Sequence, residues 1–419
     1  MFAYPDKTPI VIYGNSKQAR IAYYRFRTRF NVLGFLSPKE TDASMCGVPV
    51  FQNSQIGQLR QEGAKLVIVD DNAGTVYTSL MQGRGLKIYD DFVPIWLMEY
   101  QSIDALWLYM SCEEKEFARL LRLFMQGKKG VLINGNCQTE PLAKYLMHNP
   151  RFDKEYIFLK STVVHRYNEK TIKILNNQDF LNSISLFLTQ KISINNSFFR
   201  EAGSEIMIRK LPKECKKVII NNFWFEGYFP QHKKNEFNVL KDTFAYGAFN
   251  WGDELLDSMV SKGMDADDIF EAAHDVNLIA DDDIENLIQS QFADMRQRES
   301  YCDIRMADYI QSHYKDEVLF YSANHPINKL IKEAAVRILR HIALYAENED
   351  VPFHYEYAID SRPLLNSVTE TVYPSVLKHL GLLQDKDKLS YSVLFGEFCD
   401  FSDYVRNYLS FCHNMQVNK

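Results

Sequence analysis

The chain has 419 residues, too many for one ordinary core, so two or three domains are expected. Its net charge of −6, with no basic block, excludes a nucleic-acid-binding face, and its seven cysteines lack the CxxC spacing of a zinc site or the pattern of a disulfide framework. No uncharged apolar run reaches about 18 residues and no basic-then-apolar leader opens the chain, so a soluble, reduced, cytoplasmic protein with no transmembrane segment is expected.

The first hundred residues alternate short apolar runs with helical stretches. Residues 10–13, 31–36, 65–70 and 86–89 read as strands, and a helix runs through Ile21-Ala22-Tyr23-Tyr24. Alternation of this kind predicts a Rossmann-like parallel-sheet domain over residues 1–100. After the first strand stands Gly14-Asn15-Ser16, but Ser16 and Ala19 occupy the second and third glycine positions of a dinucleotide fingerprint, so NAD is not expected.

Residues 101–128 read as an interdomain linker helix. Glu113 and Glu114 form an acidic first turn, Phe117, Leu120, Leu121, Phe124 and Met125 share a face, and Gln126-Gly127-Lys128 ends it.

The apolar run 131–133 predicts a buried strand, stopped by Asn134-Gly135-Asn136, and Leu142, Tyr145 and Leu146 predict a helix from Thr139. Cys137 therefore stands between a strand end and a helix start, where open α/β sheets present reactive groups. Helix N–H groups and the positive dipole end favour thiolate there, whereas the alternative is a small buried residue in an ordinary turn. Further strands are expected at 156–159, 184–190 and 217–222. The aromatic run 223–230 suggests a packed corner or a wall against a planar ligand. Asp281, Asp282 and Asp283 are expected to cap a helix running to Asp303, not to bind metal. Residues 318–321 predict a strand and Pro326 a first helical position, which puts His325 at a second strand-to-helix corner. Corners of a parallel sheet share an edge, so His325 can meet Cys137, as a thiol nucleophile needing a base requires.

Two resemblances sharpen this reading. Ile10-Val11-Ile12-Tyr13-Gly14, Leu33-Gly34-Phe35-Leu36 and Cys46-Gly47-Val48-Pro49-Val50 are similar to the N-terminal domain of PglD-type bacterial sugar acyltransferases. That implies a nucleotide-sugar held at Gly14, Asn15 and Ser16, although Ser37-Pro38 replaces the usual acidic pair; a sheet that only scaffolds or dimerises is the alternative. Gly135-Asn136-Cys137-Gln138, Gln190, the run Phe225-Glu226-Gly227-Tyr228-Phe229-Pro230, Arg298-Glu299 with Asp303, and Ser322-Ala323-Asn324-His325-Pro326 resemble, in order, the WcbI-type polysaccharide-biosynthesis family over residues 129–345.

The second resemblance implies an SGNH-hydrolase-like three-layer α/β domain. It implies an acyl-CoA partner with acetyl-CoA as donor, a sugar or glycan acceptor, no metal, and a role in capsule or other surface polysaccharide. Carried over by motif, Cys137 is the nucleophile and His325 the base, with Gly135, Asn136, Gln138, Gln190 and Asn324 binding substrate or the oxyanion. Ser322 stands where SGNH enzymes place an Asp, leaving Glu299 or Asp303 as the orienting carboxylate. A glycan esterase or deacetylase using water as acceptor, and a non-catalytic sugar-nucleotide or glycan-binding assembly protein, are the other readings. Residues 346–419 are expected to form a mainly helical extension that covers the α/β domain or contacts a neighbouring copy in a homo-oligomer.

Overall fold

The computed structural model describes residues 4–37, 43–69, 76–77, 79–95, 98, 102–160, 163–192, 202–234, 249, 251–354, 360, 363–366, 368–392 and 398–417. Two parallel sheets organise the chain. The first holds β1 (Pro9–Tyr13), β2 (Asn31–Ser37), β3 (Ser44–Met45), β4 (Val48–Gln52), β5 (Lys65–Ile68) and β6 (Phe92–Pro94) in the order β3-β4-β2-β1-β5-β6. Every pairing is parallel except the short β3–β4 hairpin. Residues 86–89, expected as the last strand, hold only an isolated bridge from Ile88 to Phe92 before the chain turns. Asp91 accepts the Lys87 amide and Tyr89 takes a φ of 74°, so the chain reverses before β6.

The second sheet holds β7 (Ser102–Asp104), β8 (Lys129–Asn134), β9 (Tyr156–Lys160), β10 (Ile184–Thr189) and β11 (Lys216–Ile219) in the order β11-β10-β8-β9-β7, all parallel. Its strands alternate faces with period two. Val131, Phe158, Leu186 and Leu188 enter one core, which they share with the helices and aromatics that follow. Leu132, Ile157, Leu159 and Phe187 enter the other, which is continuous with the core of the first sheet. A sheet buried on both faces explains why its strands read as unbroken apolar runs. The stretch expected as a linker helix is a strand of this sheet followed by two helices, Ala105–Ser111 and Glu114–Met125. The second of these helices ends at Gln126, in the left-handed conformation, as the Gln-Gly pair suggests.

The run 223–230 is irregular and packed. Phe225, Tyr228 and Phe229 are buried, and Phe225 lies against Phe292 and Phe320. The long helix Asp281–Glu299 has its three aspartates in the first turn, as the dipole favours, but ends at Glu299, four residues short of Asp303. The C-terminal extension is part of the same core: Tyr373, Val376, Leu377, Tyr404 and Tyr408 join Val131 and Leu142. Among the described residues no helix is long and apolar enough to cross a membrane.

Candidate active site

Strand β8 runs out at Asn134, and the helix Thr139–Met147 begins five residues later. Gly135 has no room for a side chain: a Cβ there would lie 2.5 Å from Gln190 Oε1 and 2.6 Å from a Thr139 methyl. This close approach lets Gln190 Oε1 accept the Asn136 amide at 2.9 Å, pinning the loop that carries Cys137. Asn136 braces the loop further, since its Oδ1 accepts the Gln138 amide at 3.0 Å and its Nδ2 donates to Asn222 Oδ1 at 3.0 Å.

Cys137 Sγ lies 3.4 Å from His325 Nε2 across 188 positions of sequence. The meeting expected from sequence occurs, but not by the expected route. His325 and Pro326 form β13, which pairs antiparallel with β12 (Phe320–Ser322) in a two-stranded hairpin outside the main sheet. Pro326 lies opposite Phe320, and the helix starts only at Asn328. The hairpin is held against the sheet edge where the Phe225 amide donates to Ala323 O at 2.7 Å.

His325 is buried, and its Nδ1 faces Val368 O at 3.3 Å. A carbonyl only accepts, so Nδ1 carries the proton and Nε2 turns its lone pair toward the sulfur. Burial pushes the imidazole below its ordinary pKa, against the backbone carbonyls of Val368 and Leu365, which favour its charged form. Burial likewise pushes the Cys137 thiol up, and Glu140 adds to this. The amides of Cys137 and Gln138, with Arg166, pull the other way without prevailing. Burial therefore works against the thiolate expected from the helix terminus and favours a neutral thiol beside a neutral imidazole. Desolvation outweighs the dipole because the sulfur is largely covered.

Gln138 and Gln190 are committed elsewhere. Gln138 Oε1 accepts the Phe223 amide at 3.1 Å and Gln190 Nε2 at 2.8 Å, while its Nε2 donates to Phe223 O at 2.8 Å and Asn324 O at 2.7 Å. With every side-chain polar atom bonded to protein, Gln138 ties three segments together and has no donor left for an oxyanion. The backbone amide of Cys137, which approaches the sulfur, is better placed for that work, whereas the Gln138 amide is already given to Asn136 Oδ1. Asn324 Oδ1 accepts the Ser322 hydroxyl at 3.2 Å.

Glu299 and Asp303 do not orient His325. Buried Glu299 accepts from Asn221 Nδ2 at 2.6 Å and from the Met306 and Ala307 amides at 2.6 and 3.1 Å, and Asp303 accepts the Ile219 amide at 2.7 Å. They brace the end of β11 and the following turn. In the first sheet, Ser16 caps the helix Lys17–Phe26 by accepting the Ala19 amide. Gly14 takes a φ of 129° beside Val69 O, and Asn15 is exposed. Gly14 and Ser16 thus have local structural work to do.

Sequence reasoning missed Val368, Glu370, Asn222 and Phe223. Asn222 and Phe223 follow β11, which ends at Ile219 and not at 222 as expected, Val368 and Glu370 lie in a stretch with no helical or strand periodicity, and nothing in their spacing points to Cys137. Among the described residues no group of three or more His, Cys, Asp or Glu is placed to hold a metal ion.

A parallel α/β sheet with a cysteine–histidine pair at its edge defines the class. The family described as polysaccharide biosynthesis enzyme WcbI matches residues 130–347, over half the chain, and the chain belongs to that family. It is also similar to a solved structure described as WcbI, a novel polysaccharide biosynthesis enzyme, in a form lacking a disulfide between coenzyme A and a cysteine. The TM-score is 0.58 at 20% identity, over 68% of this chain and 90% of that one, which supports a shared fold. No curated protein gives a significant match.

Proposed function

We propose that this chain transfers an acyl group, acetyl above all, from coenzyme A to a sugar hydroxyl during assembly of a surface polysaccharide. The contact of 3.4 Å between Cys137 Sγ and His325 Nε2 carries the reading. Family membership supplies the biosynthetic setting, and coenzyme A is a molecule linked to the similar structure. A partly exposed sulfur with a base beside it and amides around it fits a thioester carbonyl. Coenzyme A, when bound, supplies the acyl group already activated as its thioester.

In this reading His325 Nε2 takes the Cys137 proton as sulfur attacks, and the Cys137 amide faces the developing oxyanion. The imidazolium returns its proton to the departing thiolate, leaving an acyl group on Cys137. His325 then takes the proton of the acceptor hydroxyl as its oxygen attacks, and the proton passes to Cys137 sulfur as the S–C bond breaks. The neutral resting pair suits this order, because the proton moves only as the new bond forms.

The test is turnover of acetyl-CoA in the presence of capsule or O-antigen sugars, with Cys137→Ala and His325→Ala alongside. Loss of turnover in both variants is expected, and full activity in both removes these residues from the chemistry. Acetate release from an acetylated glycan without coenzyme A would mark an esterase instead.

A further inference from the structure

Val368, Glu370 and Thr371 lie beyond the family-matched span, in a stretch without regular structure between two helices. Val368 and Glu370 nevertheless touch the hairpin that carries His325. Val368 O faces His325 Nδ1 at 3.3 Å, and the Glu370 amide donates to Tyr321 O at 2.7 Å. Glu370 itself is buried, and its Oε2 accepts the Ala323 amide at 2.7 Å, two residues before His325. Its other oxygen pairs with His232 Nδ1, whose ring packs on Trp251 and whose Nε2 lies 3.8 Å from Glu226. Burial alone would lower the His232 pKa, but the hydrogen bond and charge of Glu370, with Glu226, prevail and raise it. Thr371 O accepts from buried Gln231.

Here, then, is a buried carboxylate with protein partners on both oxygens, one of them the backbone of the reactive turn. Neither Glu299 nor Asp303 serves that turn, and Ser322 stands where an orienting Asp was expected. We propose that residues 368–371 complete the reaction site: the Val368 carbonyl fixes the tautomer of His325, and Glu370 is the positioning residue that holds the turn at 323–325. The proposal rests on the reading of Cys137 and His325 as the reacting pair. Glu370 touches neither sulfur nor ring; it acts by placing the backbone that places the ring. What His325 itself faces is the Cys137 thiol from the sheet edge, with Glu140 and Arg166 around that thiol, and the carbonyls of Leu365 and Val368. The charged groups Glu370, His232 and Glu226 stand behind the turn.

The test uses the full chain and needs no acyl donor. The rate of Cys137 carbamidomethylation by iodoacetamide, followed by peptide mass mapping from pH 5 to 9, is compared among the natural chain, His325→Ala, Glu370→Ala and Glu370→Asp. In Glu370→Ala the rate at neutral pH is expected to fall about tenfold, toward that of His325→Ala, on the scale of one lost hydrogen bond. Its acid limb is expected to move up toward ordinary imidazole, because a displaced ring gains water. Glu370→Asp keeps the charge for His232 but cannot span both partners; it serves if the alanine variant does not fold, and its rate is expected to fall in the same direction. A folded Glu370 variant with the natural rate and acid limb overturns the proposal. A natural chain no faster than His325→Ala overturns the reading of the pair itself, which is a separate outcome.

Discussion

Replacing Gln138 tests whether one amide holds the site together. Its four hydrogen bonds join the loop before the Thr139–Met147 helix to the segment at 223 and to the turn at 324. Gln138→Leu strands the Phe223 amide, the Phe223 and Asn324 carbonyls and part of the Gln190 amide, all in a region with little water. Each unpaired group costs ~1–3 kcal/mol, but they share one cavity and relax together, so a loss of ~3–5 kcal/mol is expected. Gln138→Glu is the sharper probe. One oxygen still accepts from Phe223 and Gln190, while the other is forced against two carbonyls unless it carries a proton. The folded-state pKa of that carboxyl is therefore raised. The variant is closest to the natural chain below the ordinary carboxylate range, and it loses ground as pH climbs toward the folded value. Urea unfolding from pH 4 to 8 reads both effects, and Cys137 alkylation reads the displacement of His325. A Leu variant within about 1 kcal/mol of the natural chain, or a Glu variant whose deficit is flat with pH, would refute the reasoning.

Gly135→Ala would drive a methyl to 2.5 Å from Gln190 Oε1, so thermal unfolding should show a loss of ~1–3 kcal/mol, with slower Cys137 alkylation from the displaced loop. Asp253 is buried and accepts from Tyr373 and the Leu256 amide; burial pushes its carboxyl up to about 7. Its folded-state pKa lies above its unfolded one, so stability drains as pH rises from about 4 to 7, and Asp253→Asn should remove that slope in a series of melting curves. The alkylation profile of Cys137 in the natural chain should keep its histidine-assisted rate into mildly acid pH, then rise again only above the ordinary cysteine range. This follows from a lowered imidazole and a raised thiol. A single rise near the ordinary thiol pKa would contradict both shifts.

The longer strands were legible because they are buried and read as apolar runs, whereas Ser44–Met45, Val48–Gln52, Phe92–Pro94 and Ser102–Asp104 were not read as strands, and Cys137 was legible because a strand end and a helix start bracket it. His325 illustrates a right meeting reached through a wrong corner: the sequence Asn324-His325-Pro326 before an apolar helix looks like a helix start. Pairing of Pro326 with Phe320, six positions apart, made a hairpin instead. The roles of Gln138 and Gln190 were hidden for another reason. An amide that stabilises an oxyanion and one that staples three backbones are the same residue in sequence; only the count of filled hydrogen-bonding positions separates them. Val368 and Glu370 had no local signal at all, since their meaning lies in contacts 43 and 47 positions away.

The neutral resting pair follows from the same burial that builds the site. Forming a thiolate–imidazolium pair beside the hairpin would place two charges where the sheet edge, the 223 segment, Leu365 and Val368 exclude much of the water, and the described partners of His325 include no carboxylate to repay that cost. A carbonyl at Nδ1 orients the ring but offers less to an imidazolium than a carboxylate would, so the base stays weak and the sulfur protonated. Such a site gains little from a free thiolate and depends on geometry at the moment of attack. That is why the groups that hold the ring, Gln138 through Asn324 and Glu370 through Ala323, should weigh on reactivity as heavily as the charge of any single neighbour.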